Sequence, residues 1–163
     1  MKIRLSLVTF CLMFVTFAIG QNKLPNVSLK GIDNKSVNVA NFNNSEKPVI
    51  VSFWATWCGP CIKELESIKT KYAQWQKEYG VELVAISIDD SKTINRVKPM
   101  VTSKGWKYKV LLDTNQDLKR ALNVVNVPYT MVLYKGKVMF THSNYTPGIE
   151  NKIEQELNEI IKK

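Results

Sequence analysis

Two cysteines three positions apart, Cys58 and Cys61, are the residues of this chain whose type and spacing point most directly to chemistry. They follow an apolar, β-branched run at 49–54 and begin a stretch with helical periodicity. On a helix, residues three positions apart lie about one turn from each other, which brings two sulfur atoms within bonding distance. The spacing therefore predicts a disulfide that can open and close.

The position of Cys58 at the predicted helix N-terminus favours a reactive thiolate. Unpaired backbone N–H groups and the positive end of the helix dipole stabilise an anion there. Such surroundings lower the pKa of a cysteine thiol in a Cys-x-x-Cys motif. We expect Cys61 to point into the helix body, remain a thiol, and resolve the mixed disulfide that Cys58 forms. Cys58 and Cys61 are thus the candidate catalytic, redox-active pair.

The residues around this pair resemble a known superfamily. The run VIVSFWATWCGPC at 49–61 resembles the active-site strand and turn of the thioredoxin superfamily. The following Cys61-Ile62-Lys63-Glu64 resembles its TlpA/ResA branch, a group of extracytoplasmic thiol-disulfide oxidoreductases. The resemblance implies a thioredoxin-like fold and exchange of disulfides with other proteins.

Glu64 is the third candidate catalytic residue. It lies three positions beyond Cys61, close enough on a helix to share its surroundings. The resemblance implies that this acid handles protons and sets the pKa values of the thiols. The spacing alone leaves open an exposed glutamate beside Lys63. In cytoplasmic thioredoxins a buried acid occupies the position of Ser52, and its absence here favours the functional interpretation.

A proline near the end of the chain is predicted to face the cysteines. A trans bond is the default for any X-Pro pair. However, Asn126-Val127-Pro128-Tyr129-Thr130 resembles the superfamily's cis-proline loop, and this implies a cis bond before Pro128. It also implies that the Val127 backbone bonds to an extended substrate peptide. The predicted substrate-binding residues are Trp57, Gly59, Pro60, Val127 and Pro128.

The predicted fold is α/β, a thioredoxin-like mixed central sheet with helices on both faces. A weakly alternating segment within 21–47 predicts an N-terminal hairpin. Strands are expected at 49–54, 81–89, 109–112, 129–134 and 138–143. One helix is expected to begin at Cys58 and end at Gly80, and others are expected at 91–105, 115–122 and 149–161. Pro99 predicts a kink or break in the second helix. Residues 91–114 exceed what a minimal thioredoxin needs, and are interpreted as a central insert.

The first twenty residues have the organisation of a signal peptide. Basic Lys2 and Arg4 precede an apolar stretch at 5–17, and small residues at 18–20 precede Gln21. The apolar stretch is shorter than a membrane span. We therefore predict a signal peptide at 1–20, one thioredoxin-like domain at 21–163, and a periplasmic or otherwise extracytoplasmic location. An uncleaved segment would tether the domain to the membrane.

The charge and composition point to no nucleic-acid function. Loss of Lys2 and Arg4 lowers the formal charge from +9 to +7. The remaining lysines are scattered among acids, which is typical of a solvated surface. We expect a monomer without cofactor.

Three of the four tryptophans lie in predicted core patterns, which argues against a plain binding module, while Trp57 adjoins Cys58.

Two other functions are alternatives to disulfide exchange. Sco-like copper-binding proteins share the fold, but a soft-metal site needs three or four ligands, and the chain beyond residue 20 offers two thiols and the single histidine, His142. We therefore predict no metal. A peroxiredoxin-like peroxidase would need a threonine at position 55, which is alanine.

The sequence thus predicts a thiol-disulfide oxidoreductase that reduces disulfides of cysteine-containing exported proteins, for example in cytochrome c maturation. The resemblance implies a membrane-embedded electron donor. The Gly59-Pro60 dipeptide is that of thioredoxin, a reductant of about −270 mV. A disulfide oxidant of the same fold, or a Sco-like copper metallochaperone, is the alternative.

Overall fold

The computed structural model describes residues 23–162. The predicted signal peptide at 1–20 lies outside the described residues. The strands are β1 Ser28–Gly31, β2 Ser36–Asn38, β3 Val49–Trp54, β4 Glu82–Ser87, β5 Lys109–Leu112, β6 Tyr129–Tyr134 and β7 Lys137–Ser143. The α-helices are α1 Gly59–Tyr79, α2 Val97–Lys104, α3 Asp117–Ala121 and α4 Ile149–Ile161, and 3₁₀ segments span Val39–Asn44 and Ile94–Arg96.

The seven strands form one mixed sheet in the order β2-β1-β5-β4-β3-β6-β7. The strands β3, β4 and β5 run parallel, and the other neighbouring pairs are antiparallel. A helix joins β3 to β4, as a parallel connection requires. The predicted thioredoxin-like α/β architecture and the N-terminal hairpin, formed by β1 and β2, are confirmed.

Strand β3 is an interior strand of the sheet, between β4 and β6, and the cysteine pair follows its end. Each of its six residues is buried, as expected for a strand covered on both faces. Helix α1 follows it and buries Leu65, Ile68 and Trp75 along one face. Its end is set by Gly80, which adopts the left-handed conformation at φ 65° that favours glycine. Helix α4 packs against α1.

The second predicted helix differs from the structure in one respect. The chain forms a 3₁₀ turn at Ile94–Arg96 and becomes α-helical at Val97, so the change of geometry precedes Pro99. Pro99 is the third residue of α2. A proline in the first turn removes no hydrogen bond, because N–H groups there have no partner within the helix. The predicted break at Pro99 is therefore wrong in position.

The short helix α3 is held by an acid that precedes it. The carboxylate of Asp113 accepts hydrogen bonds from the backbone N–H groups of Leu118 at 3.2 Å and Lys119 at 2.8 Å. These are groups that a helix start leaves unpaired. The helix is shorter than the predicted 115–122, and Asp113 supplies acceptors to its first turn. Within residues 23–162, no helix has the length and apolar character to cross a bilayer.

Candidate active site

Cys58 and Cys61 form a disulfide where β3 gives way to α1. The S–S distance is 2.01 Å and the Cα atoms are 5.3 Å apart. Cys58 is the N-cap of α1, and its Sγ accepts a hydrogen bond from the Cys61 backbone N–H at 3.2 Å. Pro60 lies in the first turn, where its missing N–H leaves no bond unmade. The helix N-terminus therefore faces the sulfur of Cys58, as predicted.

The two sulfurs differ in access to solvent. Cys58 is 7% exposed and Cys61 is 0% exposed. Gly59 and Pro60 are exposed beside them. Only Cys58 can therefore meet another protein without rearrangement of the helix, and this is the order of roles that the sequence predicts.

The cis-proline loop lies against the disulfide. The Val127-Pro128 peptide bond is cis, and the Val127 carbonyl oxygen is 3.8 Å from Cys58 Sγ. Among residues 23–162, neither backbone polar group of Val127 bonds to another backbone group. These groups remain available to an extended peptide placed beside Cys58.

A groove of about 390 Å³ runs beside the disulfide on the side of Trp57. Trp57 is 58% exposed and Val125 is 79% exposed, so both present apolar surface at this groove. The sequence prediction included Trp57 and Val127 but missed Val125, because an isolated valine in a loop carries no pattern. The lining is completed by Ile88, Gln116, Lys119, Asn126 and Asn144.

Glu64 is buried, so the alternative of an exposed surface glutamate is wrong. Its side chain is 0% exposed although it lies on α1 next to an exposed lysine. Burial raises the pKa of Glu64 from 4.5 to about 7, and a hydrogen bond from Thr130 opposes part of that rise. One oxygen, Oε1, is 2.5 Å from Thr130 Oγ1, and Oε2 has no hydrogen-bond partner. Its carboxyl group can therefore change protonation state near neutral pH.

Thr130 joins Glu64 to Ser52. Thr130 and Ser52 are opposite each other on β6 and β3, and their hydroxyl oxygens are 2.9 Å apart. Both side chains are buried. Ser52 thus connects through a hydroxyl to the acid on α1. Thr130 belongs to the proline motif, but the sequence predicts no role for it, because only the pairing of β3 with β6 brings it beside Ser52.

A second buried acid, Asp89, supports the loop before the cysteines and was missed as a site residue. Its carboxylate accepts hydrogen bonds from the Thr56 backbone N–H at 2.9 Å, the Thr56 hydroxyl at 2.5 Å and the Ser87 hydroxyl at 2.8 Å. Asp89 is 1% exposed. The sequence feature that could have identified Asp89 is an acidic residue at the end of a predicted buried strand, where charged residues are unusual.

His142, the candidate third metal ligand, lies on β7 with its ring stacked on Phe140 at 6.4 Å between centroids. Its Nε2 atom is buried without a hydrogen-bond partner. In the part of the chain that the structure describes, no group of three or more His, Cys, Asp and Glu side chains could hold a metal ion. The predicted absence of metal remains a prediction.

The fold and the cysteine pair define the class of this protein: a thioredoxin-like domain with a dithiol-disulfide site at a helix N-terminus. The family described as AhpC/TSA matches residues 20–145. The chain belongs to this family. The predicted membership of the thioredoxin superfamily, in its TlpA/ResA-like part, is confirmed.

Two curated relatives carry the same name. The chain is 33% identical to thiol-disulfide oxidoreductase ResA of Bacillus subtilis over 116 residues, which are 71% of this chain and 62% of that protein. It is 29% identical to ResA of Bacillus thuringiensis over 140 residues, which are 85% of this chain and 75% of that protein. The chain thus spans less than two thirds of the first relative. The predicted enzyme class is the one these names carry, and the Cys58-Cys61 pair is consistent with it.

Solved structures share the fold. An uncharacterized thioredoxin-like protein from Porphyromonas gingivalis is 44% identical with a TM-score of 0.75, over 85% of this chain and 92% of that one. A putative thiol:disulfide interchange protein DsbE from Chlorobium tepidum is 22% identical with a TM-score of 0.75, over 86% of this chain and 96% of that one. The second likeness shows the fold alone.

Proposed function

We propose that the protein is a thiol-disulfide oxidoreductase that reduces disulfides of exported proteins through Cys58 and Cys61. The observation that carries this proposal is the disulfide at the start of α1, in which Cys58 keeps 7% of its surface exposed and Cys61 keeps none. The names of the relatives support the reaction class.

The proposed reaction has two exchange steps. The Cys58 thiolate attacks one sulfur of a client disulfide, forms a mixed disulfide and releases one client thiolate, which takes up a proton. Cys61 then loses its proton and attacks Cys58 Sγ, which releases the second client thiolate. Two electrons pass from the dithiol to the client, and the Cys58-Cys61 disulfide results. The N–H of Cys61 and the helix dipole favour the thiolate at Cys58.

The client is proposed to lie in the groove beside Trp57. An extended segment there can pair with the free backbone groups of Val127, next to Cys58. Trp57 and Val125 supply apolar contact for the residues that flank the client cysteine. Gly59 and Pro60 leave the approach to Cys58 open, because neither carries a long side chain.

The proposal also specifies the direction of electron transfer and the compartment in which the protein works. The Gly59-Pro60 dipeptide is that of thioredoxin, so we propose a reductant that works outside the cytoplasm, after export directed by residues 1–20. A reductant in an oxidising compartment needs resupply with electrons, and we propose a membrane-embedded donor. Apocytochrome c, with its paired cysteines, is one client of suitable chemistry.

The equilibrium potential of the purified protein tests this direction. Equilibration in thiol-disulfide redox buffers of known potential, followed by counting of free thiols, gives the midpoint. A midpoint potential of about −270 mV supports a reductant, whereas a midpoint potential of about −120 mV means that the protein oxidises its clients. A protein that fails to cycle between dithiol and disulfide contradicts the reaction class itself.

A further inference from the structure

Three side chains from different elements form a hydrogen-bonded chain closed to solvent. Ser52 on β3, Thr130 on β6 and Glu64 on α1 are 1%, 0% and 0% exposed. Thr130 Oγ1 lies 2.9 Å from Ser52 Oγ and 2.5 Å from Glu64 Oε1. Thr130 is therefore the central member, and it contacts the two others at the same time.

The number of protons fixes the direction of these bonds. Thr130 has one hydroxyl proton, so it donates in only one of its two bonds and accepts in the other. An ionised carboxylate only accepts, so Thr130 donates to Glu64 Oε1 and Ser52 donates to Thr130. Each hydroxyl proton then has an acceptor. The single unpartnered polar atom of the three side chains is Glu64 Oε2.

We propose that Thr130, itself oriented by Ser52, is a positioning residue that holds Oε1 of Glu64 and leaves Oε2 as the atom that gains and loses the proton. The inference rests on the proposed function where it concerns catalysis: the proton that Oε2 takes up is the one that Cys61 loses before it attacks Cys58. The carboxylate becomes a carboxylic acid in that step, and the bond from Thr130 to Oε1 is retained.

The surroundings of Glu64 leave Thr130 as the group that opposes the effect of burial. The pKa of Glu64 is raised by burial, and the bond from Thr130 is what lowers it. No salt bridge joins Glu64 to a cation within residues 23–162. Strand β3 carries no ionisable side chain. The other titratable groups on α1 near Glu64 and on the neighbouring β6, β7 and α4 are Cys58, Cys61, Lys63, Glu66, Lys69, Lys71, Tyr129, Tyr134, Lys137, His142, Glu150, Lys152, Glu154, Glu156 and Glu159.

The test is a titration of Glu64 in the oxidised protein, where neither cysteine titrates. The carbon-13 shift of the Glu64 side-chain carboxyl is followed from pH 4 to pH 10 in wild type, Thr130→Val and Thr130→Ser. Loss of a donor to the ionised form should raise the pKa of Glu64 by about one unit in T130V. T130S keeps a hydroxyl at the same place and should stay close to wild type. An unchanged midpoint in T130V, or equal shifts in both variants, would overturn the proposal.

Ser52→Ala provides a second test that does not depend on the folding of T130V. Without its donor, the Thr130 hydroxyl is less well oriented, and the midpoint of Glu64 should rise by a smaller amount. An unchanged midpoint in S52A contradicts the role of Ser52 and, if T130V does not fold, overturns the proposal. His142, an ionisable residue, lies opposite Thr130 on β7. Each variant is therefore repeated with His142→Gln, which should leave the shift in place.

The role of Glu64 in disulfide exchange is tested by a separate measurement. The rate of disulfide exchange by the reduced protein is recorded against pH, and the midpoint of the profile in T130V should move upward with that of Glu64. If wild type exchanges no disulfides but the titration behaves as expected, the proposed function fails and the hydrogen-bonded arrangement stands. If exchange occurs and its profile in T130V is unchanged, the catalytic part of this inference fails alone.

Discussion

Asp89 holds Thr56 by both its backbone N–H, at 2.9 Å, and its hydroxyl, at 2.5 Å. The two residues are 33 positions apart and both are buried. Thr56 precedes Trp57 and Cys58 directly. The carboxylate at the end of β4 therefore fixes the loop that presents the outer cysteine.

Replacement of Asp89 by alanine should destabilise the protein by about 3 kcal/mol, because three buried donors lose their acceptor. Denaturant unfolding monitored by circular dichroism measures the change. Asp90→Ala is the matched control, since Asp90 is exposed and bonds only within its own turn. Equal stability of the two variants would show that the loop does not depend on Asp89.

Replacement of Cys61 by alanine should trap client proteins on Cys58. The second exchange step is lost, so the mixed disulfide accumulates instead of resolving. Non-reducing electrophoresis, with reduction as the second step, detects the adducts. Cys58→Ala is the control and should form none, because the remaining Cys61 is covered. Absence of reducible adducts in Cys61→Ala would contradict the assigned order of the two cysteines.

Glu64 should make stability fall as pH rises from 4.5 to about 7. The pKa is raised in the folded state, so within that range the folded protein binds more protons than the unfolded chain, and ionisation costs folding free energy. The loss amounts to about 3 kcal/mol and levels off above pH 7. Glu64→Gln should remove it. Urea unfolding at pH 4.5 and pH 8 gives the comparison.

The exposed Glu78 on the same helix provides the control for Glu64. Glu78→Gln should leave the pH dependence of stability as in wild type, because that side chain lies in solvent. A Glu64→Gln protein that loses stability with pH as steeply as wild type would show that other groups cause the dependence.

The groove should determine affinity for clients without contributing to folding. Trp57→Ala should raise the KM for a disulfide-containing peptide about tenfold, and Val125→Ala should raise it less, because both side chains offer apolar contact. Initial rates at several peptide concentrations separate KM from kcat. Met139→Ala is the control, since Met139 is an exposed apolar residue on β7 that does not line the groove. A KM unaffected by either groove variant places the client elsewhere.

Periodicity and local motifs predicted much of the fold. The apolar run of β3, the three- and four-residue spacing along α1 and the pattern of α4 each depend on near neighbours in sequence. The cysteine pair is likewise local. The cis-proline loop needed the resemblance, because spacing alone favours a trans bond.

The site residues that could not be predicted from the sequence depend on contacts between residues far apart in the chain. Thr130 reaches Glu64 across 66 positions and Ser52 across 78. The contact with Ser52 follows from the pairing of β6 with β3, and the contact with Glu64 also needs α1 to pack on the sheet. Asp89 reaches Thr56 in the same way, through β4 and β3. A side chain of this kind looks in sequence like any polar residue at a strand end. The predicted break at Pro99 was wrong for a different reason. A proline disrupts a helix only beyond the first turn, and α2 begins at Val97, so Pro99 lies within its first turn.

The burial of Cys61 beneath Cys58 also fixes where chemical reagents can act. After reduction, a bulky maleimide can reach the outer thiol alone, so each folded molecule carries one label at one defined place. The same asymmetry directs glutathione and peroxides to the outer thiol. Oxidative damage to the inner thiol then requires the helix to open first.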